Sequence, residues 1–331
     1  MVNNIPQLET MRVRAMKVIL TLQKNTFSNG LNQKVMYGCS LPNFLHMEAN
    51  IQRLPASQGN TATVTIYGML KDDIESATKF NPDFLQYYNQ VEIYAGYLDF
   101  TAGGFTYKTT QDVKDRIDNV LSLVFMGLIL TASADFNNPN RPFTIQAGAF
   151  AQSVYTMRQV SVVQNQTTFS AFLKNIFIQA QNDGLNVKLG TVYPDPVIID
   201  GIYSGSFLQQ ITQLCHDYNM QFFMTSYDDN KMQIYSFSRI GYGGNADYTT
   251  NLSVENGLLG YPTAIPRGII VKEFFNDKRH VNDAVTLSSY YASLSGKYYV
   301  WQIQSVLQTN DELWESTLVL VKPQNPVGGG L

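Results

Sequence analysis

Charge, cysteine and histidine are all scarce in this chain of 331 residues. Lys, Arg, Asp and Glu supply only 15% of it, against about a quarter in an average soluble domain. The formal net charge is −3, which leaves no basic footprint for holding phosphate backbones. DNA could still pass nearby, because a conduit works best without a basic lining that grips its cargo. Cys39 and Cys215 lie far apart and read as buried thiols made in a reducing cytoplasm. His46, His216 and His280 are equally dispersed, and no HExxH or CxxC spacing occurs, so neither a metal site nor a cofactor is expected. The most apolar run, Val120–Ala132, contains Ser122 and Gly127 and falls short of the roughly 20 residues that span a bilayer. Met1-Val-Asn-Asn-Ile-Pro shows neither the basic start nor the apolar core of a secretion signal. The expectation is synthesis in the cytoplasm, with no membrane anchoring.

What the chain does contain is 44% hydrophobic residues, 20 tyrosines and many Asn, Gln, Ser and Thr. A weakly charged, tyrosine-rich surface suits large permanent subunit contacts. Aromatic residues also favour strands, so composition alone fits an ordinary β-rich protein equally well. The length allows two or three domains, each with its own core.

The C-terminal quarter reads as short strands: Gly268–Phe275, Ala284–Ser289, Lys297–Leu307 and Leu313–Val321. They are separated by turn residues at Asn276-Asp277, Ser293–Gly296 and Asn310–Glu312. In the third, Tyr299, Trp301, Ile303 and Ser305 alternate with Val300, Gln302, Gln304 and Val306, the period of a strand with one face in a core. The first half repeats this grammar. Arg12–Gln23 is a strand ending at the turn Ser28-Asn29-Gly30. Phe44–Arg53 and Thr61–Tyr67 alternate cleanly, Met69–Ala77 is a short acidic helix, and Tyr88–Leu98, Leu121–Ala132 and Phe143–Phe150 are further strands. Many strands with one short helix imply a barrel rather than an α/β domain.

The middle differs in kind. Phe169, Phe172, Leu173, Ile176, Phe177 and Ala180 form one helical stripe, with Thr167 or Thr168 able to cap its start and Gly184 its end. A strand, Leu185–Leu189, follows. Phe207, Ile211, Leu214, Cys215 and Tyr218 form a second stripe, which leads into strands at Gln221–Thr225 and Met232–Phe237. The fold class is therefore mainly β with an α+β insert.

Two patterns carry a family resemblance. Gly257-Leu-Leu-Gly-Tyr-Pro-Thr, then Phe275-Asn276-Asp277, then Gly296-Lys-Tyr-Tyr-Val-Trp resembles the C-terminal barrel of baseplate hub proteins from contractile-tailed phages such as Mu. Thr63-Val-Thr-Ile-Tyr-Gly-Met-Leu, Val91-Glu-Ile-Tyr-Ala-Gly-Tyr and Val124-Phe-Met-Gly-Leu-Ile resemble the N-terminal barrel of the same proteins, although Gly68 departs from the Asn common at that turn. The resemblance implies two tube-like antiparallel β-barrel domains, at 11–157 and 241–322, flanking a small helix–strand domain at 158–240. An N-terminal arm (1–10) and a C-terminal tail (323–331) complete the chain, and the second barrel can recruit strands from earlier segments. It also implies a homotrimeric ring in the virion's tail baseplate. The partners would be the tail tube protein, the central spike, the tape-measure protein and inner baseplate proteins, with DNA passing through the lumen unbound. A distal tail protein, a secretion-system spike hub or a tail-associated peptidoglycan hydrolase are the alternatives.

No constellation reads as catalytic. Cys215 and His216 are helix neighbours about 100° apart and cannot readily bond each other. The acids at Asp72-Asp73-Glu75, Asp228-Asp229 and Asp311-Glu312-Glu315 sit at helix starts or turns, where carboxylates cap or stay solvated. Spacing alone does not place two of them across a cleft, as a glycosidase needs. Gly103-Gly104 and Gly241–Gly244 read as turn glycines. The candidate interface residues are Leu258, Leu259, Tyr261 and Pro262, an apolar bridge into the second barrel that needs cover and so reads as a subunit or domain contact.

Overall fold

Period-two patterning becomes strand over most of the chain. The computed structural model describes residues 11–23, 25–55, 59–78, 89–100, 109–149, 159–239, 245–310 and 313–322. The arm, the tail, Gly103-Gly104, Gly241–Gly244 and Asp311-Glu312 lie outside the described residues. The chain divides into two units. One comprises Met1–Asn50, Ala62–Ala147 and Val306–Trp314; the other comprises Ile51–Thr61, Gly148–Ser305 and Glu315–Leu331.

The first unit is built on β1 (Met11–Thr21), β2 (Gln33–Cys39), β3 (Met47–Arg53, through Asn50), β4 (Thr61–Ile66, from Ala62), β5 (Gln90–Phe100), β6 (Ser122–Ala134) and β7 (Phe143–Gly148, through Ala147). Their order is β3-β4-β7-β6-β5-β1-β2. Long antiparallel pairings hold the middle of this sheet; β1 meets β5 from Met11↔Phe100 to Thr21↔Gln90. The sheet then curls until its ends touch, at a bridge between Gly38 of β2 and Leu45 just before β3. Gly38 permits that approach. A Cβ there would lie 2.9 Å from Met47 Cγ and 3.1 Å from the Leu45 carbonyl. Thr309 fastens the same seam, donating its N–H to Met47 O and accepting from Met47 N on its hydroxyl, both at 3.0 Å.

Both faces of β1 are buried. Met16, Val18 and Leu20 point one way, while Val13, Ala15 and Lys17 point the other. The second set meets a helix, α2 (Thr110–Val120), which follows the short α1 (Lys71–Thr78). The sequence reading has one short helix in this half and misses α2, as it misses β2. Only Val113 and Ile117 of α2 are buried, too narrow a stripe to register as periodicity. Its local signal is the capping box of Thr109 and Asp112.

In the second unit, β8 (Gln159–Thr168), β9 (Val187–Tyr193), β10 (Val197–Gly205), β11 (Gln221–Tyr227) and β12 (Gln233–Ser238) accompany helices α3 (Phe169–Asn182) and α4 (Phe207–Asp217). They form an antiparallel β10–β8 ribbon and a three-stranded β11-β12-β9 sheet. Thr168 caps α3 by accepting from Ala171 N, and Gly184 follows it at φ +86. The expected α3 stripe is buried residue for residue. Phe177 stands edge-on to Phe207, Tyr235 and Phe237 at 5.0–6.1 Å between centroids.

The rest of this unit is formed by the strands β13 (Asn245–Leu252), β14 (Leu258–Ile265), β15 (Gly268–Phe274), β16 (Asp283–Leu287), β17 (Gly296–Gln308, through Ser305) and β18 (Trp314–Val321, from Glu315). The order is β14-β15-β18-β17, with β16 paired to both β17 and β13. The four C-terminal strands expected from sequence appear within two residues of their expected bounds. β13 and β14 are additions. The apolar core of this sheet gathers Leu252, Leu258, Ile269, Val271, Val285, Tyr298, Val300, Ile303 and Leu318 among others.

Candidate assembly interface

The sequence-predicted interface residues all fall on β14, the terminal strand of the second unit's sheet. Its register against β15 shifts between Leu259 and Thr263, so Gly260, Tyr261 and Pro262 form a bulge, with Gly260 at φ +66. Leu258 and Pro262 are buried and Leu259 is half-buried, while Tyr261 is 69% exposed. Pro262 offers no N–H, which blunts the strand edge as a template for backbone pairing.

Tyr261 has company that the sequence reading missed. Tyr290 and Tyr291, on the loop after β16, are 86% and 50% exposed. The three ring centroids are 5.7–6.5 Å apart, in tilted and edge-on arrangements. The loop beneath them is pinned. Ser289 N donates to Ser295 Oγ at 3.0 Å, the Ser295 hydroxyl lies 3.2 Å from Ser289 O, and Tyr298 OH donates to Leu294 O at 2.9 Å. Leu294 packs against the sheet's core. The signal available in the sequence is Ser288-Ser-Tyr-Tyr-Ala-Ser-Leu-Ser-Gly296, nine residues without a charge.

One cluster of ionisable groups in the same unit is committed to the interior. Arg279 makes a paired contact with Glu273 (Nε–Oε1 3.1 Å, Nη2–Oε2 2.9 Å) and also bonds Thr250 Oγ1, while buried Arg53 donates Nη1 to Arg279 O at 2.8 Å. Burial, helped by the Arg53 charge, pulls His280 down to about 4, so its ring is neutral at pH 7. Burial pushes Asp283 up to about 6. Such a cluster fixes side chains in place; removing one partner would leave a charge stranded.

The other candidates for chemistry are dispersed. Cys215 is buried and its thiol is raised by burial, while the His216 side chain is 89% exposed and faces Asp217. Asp73 is fully buried in the first unit and bonded by Lys34 Nζ and Ser28 N. Burial raises its carboxyl, but these bonds outweigh that and hold it below the usual value. Glu75 faces Lys71, and Asp228 caps its turn while meeting Lys188. His46 pairs with Glu48 at 3.0 Å. Among the described residues, no three His, Cys, Asp or Glu side chains gather where they could hold a metal, and no helix is long and apolar enough to cross a membrane.

Large antiparallel sheets around apolar cores define a mainly β protein. Solved structures share this fold. The E. coli c3393 protein, a type VI secretion system component described as similar to T4 bacteriophage tail proteins gp27 and gp5, aligns at TM-score 0.53 and 10% identity over 86% of this chain and 76% of its own. The 43 kDa tail protein of prophage MuSo2 from Shewanella oneidensis aligns at 0.52 and 10% identity over 93% and 97%. A tail protein from Neisseria meningitidis MC58 aligns at 0.53 and 8% identity over 93% and 96%. No curated protein matches the chain in sequence. The chain belongs to the baseplate hub gp41 family, whose model matches residues 16–318. It is a structural hub protein of a bacteriophage tail baseplate.

Proposed function

We propose that three copies of this chain form a ring with pseudo-sixfold symmetry that joins a sixfold tail tube to a trimeric spike. The supporting observation is the division of a hub-family chain into two β-rich units. Three chains then present six units around one axis, matching sixfold packing on one side, while the true threefold symmetry serves a trimeric partner on the other. Tape-measure and inner baseplate proteins complete the set of partners, and DNA crosses the lumen without being held, as the net charge of −3 favours. Leu258, Leu259, Tyr261 and Pro262 lie at a subunit contact in this reading. The role is architectural, without catalysis: Cys215 is buried, and His216 faces Asp217 rather than the thiol.

Native mass with ring imaging tests it. The expected result is a particle of about three times 37.2 kDa enclosing an open channel. A single-chain particle, or six copies per ring as in a distal tail protein, would overturn it. Clearing of cell-wall material in a zymogram would overturn the non-catalytic reading.

A further inference from the structure

We propose that the Tyr261–Tyr290–Tyr291 cluster is a contact made with a second copy of this chain, and that it carries most of the energy of that contact. The inference rests on the ring reading above and adds to it the loop after β16. The two segments that build the cluster, Leu258–Pro266 and Ala284–Gly296, contain no charged residue. A copy of the chain therefore meets this surface without like-charge repulsion or the cost of desolvating an ion. By the same token the two segments offer no charge to pair with phosphate or with a strongly charged partner.

Area points the same way. A tyrosine buries about 150–250 Å² when covered, so at their observed exposures the three rings offer on the order of 400 Å². That is about half of the roughly 800 Å² that each side of a standard interface contributes. Half-buried Leu259 and the serines of the loop extend it. Tyrosine with serine and glycine is also the composition of surfaces that bind proteins through rigid, amphipathic rings with few side-chain torsions to freeze. The serine bonds within the loop and the bulge on β14 hold the rings in place before any partner arrives, which lowers the entropic cost of docking. Among the described residues none of the three hydroxyls has a hydrogen-bond partner, so each is available across an interface.

The test compares the full chain with its Tyr261→Ser/Tyr290→Ser/Tyr291→Ser variant by light scattering over a micromolar dilution series. Far-UV circular dichroism serves as the check on folding. The expected result is a multimeric wild type and a folded variant whose assembly is weakened about a hundredfold or more, as loss of central aromatic anchors produces. The Tyr290→Phe/Tyr291→Phe variant keeps the rings and should keep most of the assembly. A multimeric wild type whose triple variant dissociates at the same concentration overturns the tyrosine contact and leaves the ring standing. A wild type that is single-chain throughout overturns both. Should the triple variant lose its fold, Tyr290→Ser alone decides, at the most exposed of the three positions; unchanged assembly there overturns the proposal.

Discussion

The two units cover their sheets with helices in opposite ways. In the second unit α3 and α4 each present a broad apolar face, whose Phe169, Phe177 and Phe207 interlock edge to face with one another and with Tyr235 and Phe237 of β12. In the first, α2 buries little beyond Val113 and Ile117 and is held by a polar clamp. Lys17, inside β1, reaches Asp118 at 2.9 Å and lies 4.1 Å from the Tyr94 ring centroid. Tyr37 OH donates to Asp118 at 2.9 Å, and burial together with that carboxylate pushes Tyr37 up to about 12. Apolar packing tolerates salt and pH, whereas a clamp of charges does not. The helix layer of the second unit should therefore respond to lost volume and that of the first to altered charge.

That contrast can be measured because the chain's tryptophans divide between the units, Trp314 in the first and Trp301 in the second. Trp301→Phe leaves fluorescence reporting the first unit, and Trp314→Phe leaves it reporting the second. The largest effect is expected for Phe177→Ala, which should cost the second unit about 3–5 kcal/mol in urea unfolding. A loss below about 1 kcal/mol would mean the aromatic layer is loosely packed. Next comes Gly38→Ala, which forces a methyl against Met47 and the Leu45 carbonyl and should destabilise the first unit by about 1–3 kcal/mol. A neutral result would show that the sheet's closure at that seam is slack.

A pH effect follows in the second unit. His280 has a depressed pKa, so its contribution is present above about 6.5 and is lost as pH falls toward about 4, because the unfolded chain takes the proton first. Asp283 has a raised pKa and works in the opposite sense, its contribution being lost as pH rises through about 6. The two largely offset each other. His280→Gln should unmask Asp283, so that the variant gains stability relative to wild type by on the order of 1 kcal/mol between pH 6.5 and 4. A pH-independent difference would remove His280 from the account. The smallest effect is Lys17→Met, about 1 kcal/mol, because half-exposed Asp118 can turn to water. Its signature is salt: added salt should weaken the wild-type first unit more than the variant, and equal salt responses would break the comparison.

The same difference explains what could be read without coordinates. A broad stripe such as that of α3 is legible because 3.6-residue periodicity is a local property, and its capping residue Thr168 was one of two candidates named. The clean strands β3, β4, β15 and β17 were legible for the same reason. α2 was not, since it buries only Val113 and Ile117 and its polar clamp comes from Lys17 and Tyr37, 101 and 81 residues before Asp118. β14 looked like a linker because its Gly260-Tyr-Pro bulge interrupts the alternation. Of the exposed tyrosine cluster, Tyr261 could be singled out, whereas Tyr290 and Tyr291 could not, because a pair of exposed aromatics on a turn has no period.

By itself the sequence determined the mainly β class, the clean period-two strands and the apolar stripes of the middle helices, all of which follow from composition and spacing within a few residues. Only the tertiary structure decided that Gly38 meets Leu45, that Thr309 bonds Met47 from 262 positions away, and that three tyrosines from two segments share one surface. Those contacts depend on how sheets twist and register over the whole chain, a sum of many small preferences that no single stretch encodes.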